Sequence, residues 1–346
     1  MTIRIRTVFI FFAILLGIWF VYSERAILTP FVLAAIFAYI FNPVVNFFSQ
    51  KIKLPRSLSV IVIYLLIVTI VVSASTILTR QILAESSDIR AYIIALLASA
   101  RAQMNSLPDF IKPTVYDFVI SLEKSKLTNS SSLLPFFPQA ISRIISVIIF
   151  AFSGYYFLKE GGGAFDKALH FIPEPYKIEV EILIRKINSV LGGYLRGQVF
   201  LVFLMSLFTF IALSILGVRF ALLIAIFSGF AEIVPVIGPI TAGALATLVV
   251  LITGTVNFGL SPLAGGITVI IIYFVLRHAE DYFIVPTIMG KITKLPPFII
   301  FFSVVAAGHL WGLMGLILAV PIAAIIRLLL EFFLDQINSK NTLGSE

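Results

Sequence analysis

Cysteine is absent from the 346 residues, which removes disulfides, thiolate nucleophiles and every thiolate metal site. Histidine is nearly so: His170, His278 and His309 are the only three, too scattered for a compact zinc site of the common types. There is no P-loop, no HExxH, no GxSxG elbow and no GxGxxG after a strand. The chain is therefore not expected to be an enzyme or to carry a cofactor or metal. Without a P-loop it does not itself hydrolyse ATP, so any uphill transport must use an ion gradient or the solute's own gradient. Charge is also scarce: Asp, Glu, Lys and Arg supply 12% of the residues, about half the share of a soluble domain.

Apolar residues fill the space. They make up 60% of the chain, with 33 phenylalanines, and the mean hydropathy is +1.09. The expected class is an all-α, polytopic integral membrane protein with the lipid bilayer of the inner or plasma membrane as its surroundings. The formal charge of +8 does not point to nucleic acid. Lys and Arg sit mainly in short loops beside apolar runs, which is the pattern of retention on the cytoplasmic face.

Residues 1–79 read as three membrane helices. The first, 1–22, has Arg4 and Arg6 before an apolar core and resembles a signal peptide, but no small-x-small cleavage site follows. The second covers 27–48 and the third 58–78, separated by the basic loop QKIKLPR. Residues 80–138 form an island too polar for lipid, with an amphipathic helix from about Arg80 to Met104 suggested by Ile89, Ile93, Leu96, Leu97 and Met104. Alternation places this insertion outside. A fourth span covers 139–158. Residues 159–197 return as a cytoplasmic linker whose amphipathic helix, 177–196, has Val180, Leu183, Ile184, Ile187 and Leu191 on one face. Gly192-Gly193 is expected to turn it into the fifth span, which opens a core running over 198–335. A polar tail, 336–346, closes the chain, and both termini are expected in the cytoplasm.

Two apolar segments are too long. A straight helix over 220–253 would measure ~50 Å and one over 298–334 ~55 Å, against a hydrocarbon core of ~30 Å. Both are interrupted: the first by Pro235, Gly238 and Pro239, the second by GHLWGLMG and then Pro321. Paired, Gly/Pro-broken segments are the sequence pointer to a transport site at mid-membrane depth. With a further crossing over 263–276 and these two, about eight membrane segments are expected. If the 220–253 segment re-enters and leaves on one side, the loop 277–297 falls inside, as Arg277, Lys291 and Lys294 favour. If it crosses, the loop falls outside.

Glu232, three residues before the first break, is the sharpest candidate. Ionised and unpaired in lipid it would cost several kcal/mol, so it must be paired, protonated or facing water. It either binds an exchanged proton or cation, or serves as a structural ion pair or cap. Pro235, Gly238 and Pro239 break the helix and free backbone groups that can hold a polar solute or ion. Arg277, Glu280 and Asp281 form a charge cluster at a membrane boundary, readable as interface anchors or as a gate or ion site. His309 lies among Gly308, Gly312 and Gly315, which permit close helix approach; it could titrate near neutral pH, although packing is the plainer reading.

The segments LGVRFALLIAIFSGFAEIVPVIGPI, YLRGQ, FLKEGG, EDYFIVPTIMGK…LPP and GHLWGLMGLILAVP, in this order and spacing, together resemble the autoinducer-2 exporter (AI-2E) family. The likeness runs from about residue 7 to 335. It implies about eight membrane segments, export of small molecules such as a furanone-type quorum signal or sodium(lithium)/proton antiport, and a homo-oligomer, with a pentamer suggested. The family's Pro-aromatic-X-Gly-Pro break falls on Pro235, Gly238 and Pro239, with Val236 in place of the common aromatic. Its Pro…Gly-Lys connection falls on Pro286, Gly290 and Lys291. Its glycine-rich last segment falls on Gly308, Gly312, Gly315 and Pro321, with His309 where small or apolar residues are commoner.

Three functions compete: ion-coupled export of a small polar metabolite or autoinducer-like signal, sodium(lithium)/proton antiport, and a passive channel or oligomeric scaffold. A cation antiporter is expected to carry more acids within the membrane than the single Glu232, which favours the exporter.

Overall fold

The computed structural model describes residues 12, 15–17, 19–103, 136–161, 169–170, 172–235, 237–254, 256–288 and 295–343, with backbone alone for 81–103, 136–143, 175, 252 and 336–343. Every regular element among them is helical. In lipid no water is present to satisfy backbone N–H and C=O groups, so long apolar stretches close their hydrogen bonds within one helix. The elements are α1 (Arg25–Gln50), α2 (Arg56–Gln103), α3 (Phe136–Glu160), α4 (Glu174–Leu216), α5 (Ala221–Ala231), α6 (Ile237–Thr253), α7 (Pro262–Ala279), α8 (Val285–Ile288) and α9 (Pro297–Leu343). A π-helical turn, Glu280–Ile284, joins α7 to α8.

Five stretches among the described residues are long and apolar enough to cross a membrane: Arg25–Gln50, Arg56–Arg80, Tyr176–Leu216, Pro262–Ile288 and Pro297–Asp335. Their large side chains point outward without covering: on α2, Leu65, Ile70 and Val72 are each more than half exposed. A helix that shows apolar residues all round is a helix in lipid.

Two expected boundaries fall inside continuous helices. The third span and the amphipathic helix after it are one rod, α2, of 48 residues; the rest of the island, 104–135, lies outside the described residues. Gly192-Gly193 likewise does not divide the cytoplasmic helix from the fifth span, because α4 runs unbroken for 43 residues. Glycine weakens a helix by about 1 kcal/mol but keeps its N–H in the ladder. Just beyond the pair, Tyr194 and Leu195 are buried against Val320 of α9, with Ile36, Tyr39 and Ile40 of α1 around them. Pro321, expected to help break the last segment, sits fully buried inside α9.

Two further clusters pack beside that of Tyr194, Leu195 and Val320. Val45 of α1, Val60 and Ile63 of α2, and Leu158 of α3 make one core. Leu213 and Leu216 of α4, Ile224 of α5, Ala246 and Val250 of α6, and Val269 of α7 make the other. Arg56 pins the first group: its Nε donates to the Leu158 carbonyl (2.8 Å), Nη1 to Asn46 Oδ1 (3.0 Å) and Nη2 to Asn42 Oδ1 (2.8 Å). Arg56→Lys keeps the charge but cannot reproduce this fork, and is expected to lose about 1–3 kcal/mol. Thermal unfolding in detergent reads it as a lower midpoint; an unchanged midpoint would mean the fork contributes nothing.

The first over-long segment is a hairpin. α5 descends along α4, the chain turns after Ala231, and α6 returns along α5 and α7. Its two ends meet: the Asn257 backbone N–H donates to the Leu216 carbonyl (2.8 Å) and its Nδ2 to the Ile215 carbonyl (3.0 Å). The second segment breaks once, at Trp311 (φ −133°, ψ 15°) and Gly312 (φ 57°, ψ −135°). The Gly312 backbone lies in a region that side-chain-bearing residues scarcely enter.

Candidate functional site

The turn between α5 and α6 places Glu232 against α7. Its backbone is secured first. The Glu232 N–H is shared between the Ser228 and Gly229 carbonyls (3.2 Å each), and its own carbonyl, freed by the break, accepts from Gln198 Nε2 of α4 (3.0 Å). Gly238 closes the turn: a Cβ there would overlap the Ala231 carbonyl.

From α7 and the π turn, Arg277, Glu280 and Asp281 share one helical face, being three and four residues apart. The guanidinium organises them. Its Nη1 donates to Glu232 Oε1 (2.9 Å) and Glu280 Oε2 (3.3 Å); Nη2 and Nε bind the two oxygens of Asp281, each at 3.0 Å. Glu280 is 1% exposed and Glu232 6%, whereas Asp281 is 49% exposed at its side chain. Three carboxylates thus surround a single guanidinium. Two are withdrawn from solvent, where an uncompensated charge is costly. The π turn keeps Glu280 facing inward just before Pro286, whose ring would otherwise crowd the carbonyl four residues back; such turns recur at functional sites.

Beside the carboxylates lies a narrow cavity of about 10 Å³ with Thr209, Ser228, Glu232 and Tyr273 in its wall. That is room for roughly one water. Ser228 Oγ and Tyr273 Oη are 2.6 Å apart.

The second break is separate. Arg25 Nη1 donates to the Leu310 carbonyl freed there (2.6 Å), and Trp311 Nε1 to Thr29 Oγ1 (3.3 Å), so α1 supplies the missing partners. A Cβ on Gly315 would overlap the Ala307 carbonyl, the same device as at Gly238. His309 and Gly312 are exposed, Gly308 is half-buried, and Pro286 is exposed beyond the π turn. His278 is exposed, its ring tilted by 38° against Phe274 with the centroids 4.0 Å apart. Gly290 and Lys291 lie outside the described residues, as does Val236.

The structure therefore brings together Glu232, Arg277, Glu280 and Asp281, next to Pro235, Gly238 and Pro239. It does not bring the second glycine group to them. Gln198, Thr209, Ser228 and Tyr273 were not anticipated. The last three look like ordinary polar residues in apolar helices, although Ser228 lies inside LGVRFALLIAIFSGFAEIVPVIGPI and Gln198 inside YLRGQ.

The sequence profile of the AI-2E family transporters matches residues 8–335. The chain belongs to that family. Similar proteins include YueF of Bacillus subtilis (strain 168), provisionally named a transport protein, 29% identical over 320 residues that cover 88% of this chain and 83% of YueF. YrrI of the same organism, named in the same provisional way, is 24% identical over 336 residues, 95% of this chain and 93% of its own. A sodium-lithium/proton antiporter of Halobacillus andaensis is 24% identical over 327 residues, 88% of this chain and 90% of its own. The AI-2E family transporter described here is a multi-pass membrane protein and not an enzyme.

Proposed function

We propose that this AI-2E family transporter is a secondary transporter in which the Glu232–Arg277–Glu280–Asp281 cluster exchanges a proton for a monovalent cation. One observation carries the reading: two buried carboxylates and a third at the rim converge on one guanidinium at a helix break. Glu232 is not the single buried acid among the described residues, since Glu280 is buried more deeply still. The reason for ranking export above antiport falls with that. With three acids and one base, the cluster has capacity for a proton or another cation while Arg277 stays paired with Asp281. The antiporter name of the Halobacillus relative supports the same reading.

The groups facing Glu232 are Arg277, Glu280, Asp281 and Tyr273 from α7 and its π turn, and Tyr194 and Gln198 from α4. α6 contributes no charged side chain. In the bilayer, α5 and α6 form a re-entrant hairpin that enters and leaves on the outer side, which puts the basic loop after α7 in the cytoplasm; α9, doubling back at Trp311–Gly312, then keeps both termini on that side. The residues 80–138 are then an extracytoplasmic insertion. Assembly into a homo-oligomer, with a pentamer as the family suggests, belongs to the same reading.

A second reading is export of a small polar metabolite, such as an autoinducer-2-like signal, driven by the same ion cycle. The second break supports it, because polar backbone and Trp311 meet there inside an apolar segment.

Proteoliposomes holding the full chain and a pH-reporting dye test the proposal. Added Na⁺ or Li⁺ is expected to collapse an imposed proton gradient without organic solute. Glu232→Gln, inserted and folded, is expected to slow this by about 100-fold, the size of a lost general acid–base group. Unchanged exchange in Glu232→Gln between about pH 5 and 9 would remove the coupling role. Solute counterflow with no cation dependence would favour plain export.

A further inference from the structure

We infer that the cavity beside Glu232 is a site for one dehydrated small monovalent cation of the Na⁺ or Li⁺ class, held by the hydroxyls of Thr209, Ser228 and Tyr273 together with the Glu232 carboxylate. This rests on the ion-exchange reading above and names its ligand and binding groups.

Thr209 is the decisive residue. It lines the cavity from α4, is 1% exposed, and its hydroxyl has no hydrogen-bond partner among the described residues. Hydroxyls in apolar helices usually close on the carbonyl one turn back. Ser206 does so to Val202 (2.7 Å), Thr247 to Gly243 (2.8 Å) and Thr268 to Ala264 (2.8 Å). Thr209 is left out of this pattern, and a buried unpaired hydroxyl costs about 1–3 kcal/mol. Something not carried by the chain satisfies it.

The remaining wall fits a hard cation. Ser228 Oγ and Tyr273 Oη share one hydrogen bond at 2.6 Å, which leaves free lone pairs on both oxygens. Glu232 brings the charge, and Met205 and Leu276 supply an apolar lining that excludes bulk water. A volume of about 10 Å³ admits a single ion or water and no organic solute. Among the described residues no group of three or more His, Asp or Glu is placed to hold a metal ion. Neutral oxygens with one carboxylate therefore suit a monovalent ion better than a divalent one. Arg277 also lines the cavity; bound to Glu232 and Glu280 by Nη1 and to Asp281 by Nε and Nη2, it is the resident positive charge in this state. The Asp281 side holds the guanidinium when the cation takes its place on Glu232.

The test uses the full chain in detergent, with the unfolding midpoint followed against NaCl, LiCl, KCl and choline chloride at fixed ionic strength, and ²²Na⁺ binding in parallel. Na⁺ and Li⁺ are expected to raise the midpoint while choline does not. Thr209→Val, which keeps the shape and removes the hydroxyl, is expected to weaken half-saturation about tenfold, with Tyr273→Phe moving it in the same direction. Thr209→Ser, which restores a hydroxyl, should return most of the affinity and covers the case in which valine fails to fold. Equal midpoints in NaCl and choline chloride, or unchanged half-saturation in Thr209→Val and Tyr273→Phe, would overturn the site and leave the cavity to water. If these variants also exchange cation for proton at the wild-type half-saturation, the site alone is lost and the exchange reading stands. If the wild type moves no protons on cation addition yet binds Na⁺ through Thr209, the exchange reading is lost and the site stands.

Discussion

Arg277→Gln is expected to be among the most damaging single substitutions in this protein. It leaves Glu232 and Glu280, 6% and 1% exposed, without the guanidinium that both carboxylates share. Breaking a buried ion pair from one side costs about 3–5 kcal/mol, because the surviving charge stays buried. The variant should accumulate poorly in membranes and unfold at a much lower temperature in detergent. Adding Glu232→Gln to the same chain removes one stranded charge, so the double variant should be more stable than Arg277→Gln alone. A coupling of about 1–3 kcal/mol between the two positions is the expected size for groups in direct contact. Simple additivity of the two effects would show that they do not act as one unit. Arg277→Lys should fall between, since an ammonium can face Glu232 but cannot also hold both oxygens of Asp281.

The membrane character and the broken segments were legible because each rests on a quantity the sequence states outright. Apolar length against bilayer thickness forces a bend in 220–253, and Pro235, Gly238 and Pro239 leave one place for it. Continuity was not legible. Gly192-Gly193 looks like a hinge until Tyr194 and Leu195 are seen packed under Val320, a contact more than a hundred residues distant in sequence. The polar run after residue 80 looks like a new unit, yet no residue between Arg56 and Gln103 interrupts the helix.

Glu232 and the charge cluster of Arg277, Glu280 and Asp281 were each legible; the contact between them was not. Glu280 and Asp281 follow a membrane-length helix, where charges ordinarily meet headgroups and water. Their convergence with Glu232 depends on the depth to which the α5–α6 hairpin reaches, and that depth is set by side-chain register along α4 and α7. Asn257 at one end of the hairpin and Gln198 at the other fix it, by bonds to the Leu216 and Glu232 carbonyls. Thr209 escaped notice for the same reason: an unpaired hydroxyl is a property of neighbours, not of residue type. The fold thus uses one means twice, a chain break whose loose carbonyl is claimed by a side chain from another helix: Gln198 for Glu232, Arg25 for Leu310. At the first break a carboxylate is carried along; at the second none is.

Gly238→Ala is expected to abolish exchange through a single methyl group. The new Cβ would overlap the Ala231 carbonyl oxygen and carbon, and both are backbone, so no flexible side chain can yield. The turn must open instead, and Glu232, the next residue after Ala231, moves with it away from Arg277. Overpacking of this kind costs about 1–3 kcal/mol even where neighbours can shift, and here the shift falls on the ion pair itself. Exchange should drop by at least about tenfold, the effect of misplacing a reacting group by an ångström or so. Gly315→Ala meets the Ala307 carbonyl in the same way and should destabilise the second break, while Gly308→Ala meets only the Leu316 Cδ2 at 2.6 Å, a side chain that can turn aside. Gly17→Ala, with nothing within 4 Å, should be neutral or slightly stabilising. Unfolding midpoints and proteoliposome exchange, measured on all four variants, separate the cases. Wild-type exchange in Gly238→Ala would show that the turn tolerates opening and that the position of Glu232 against Arg277 is not what the transport cycle depends on.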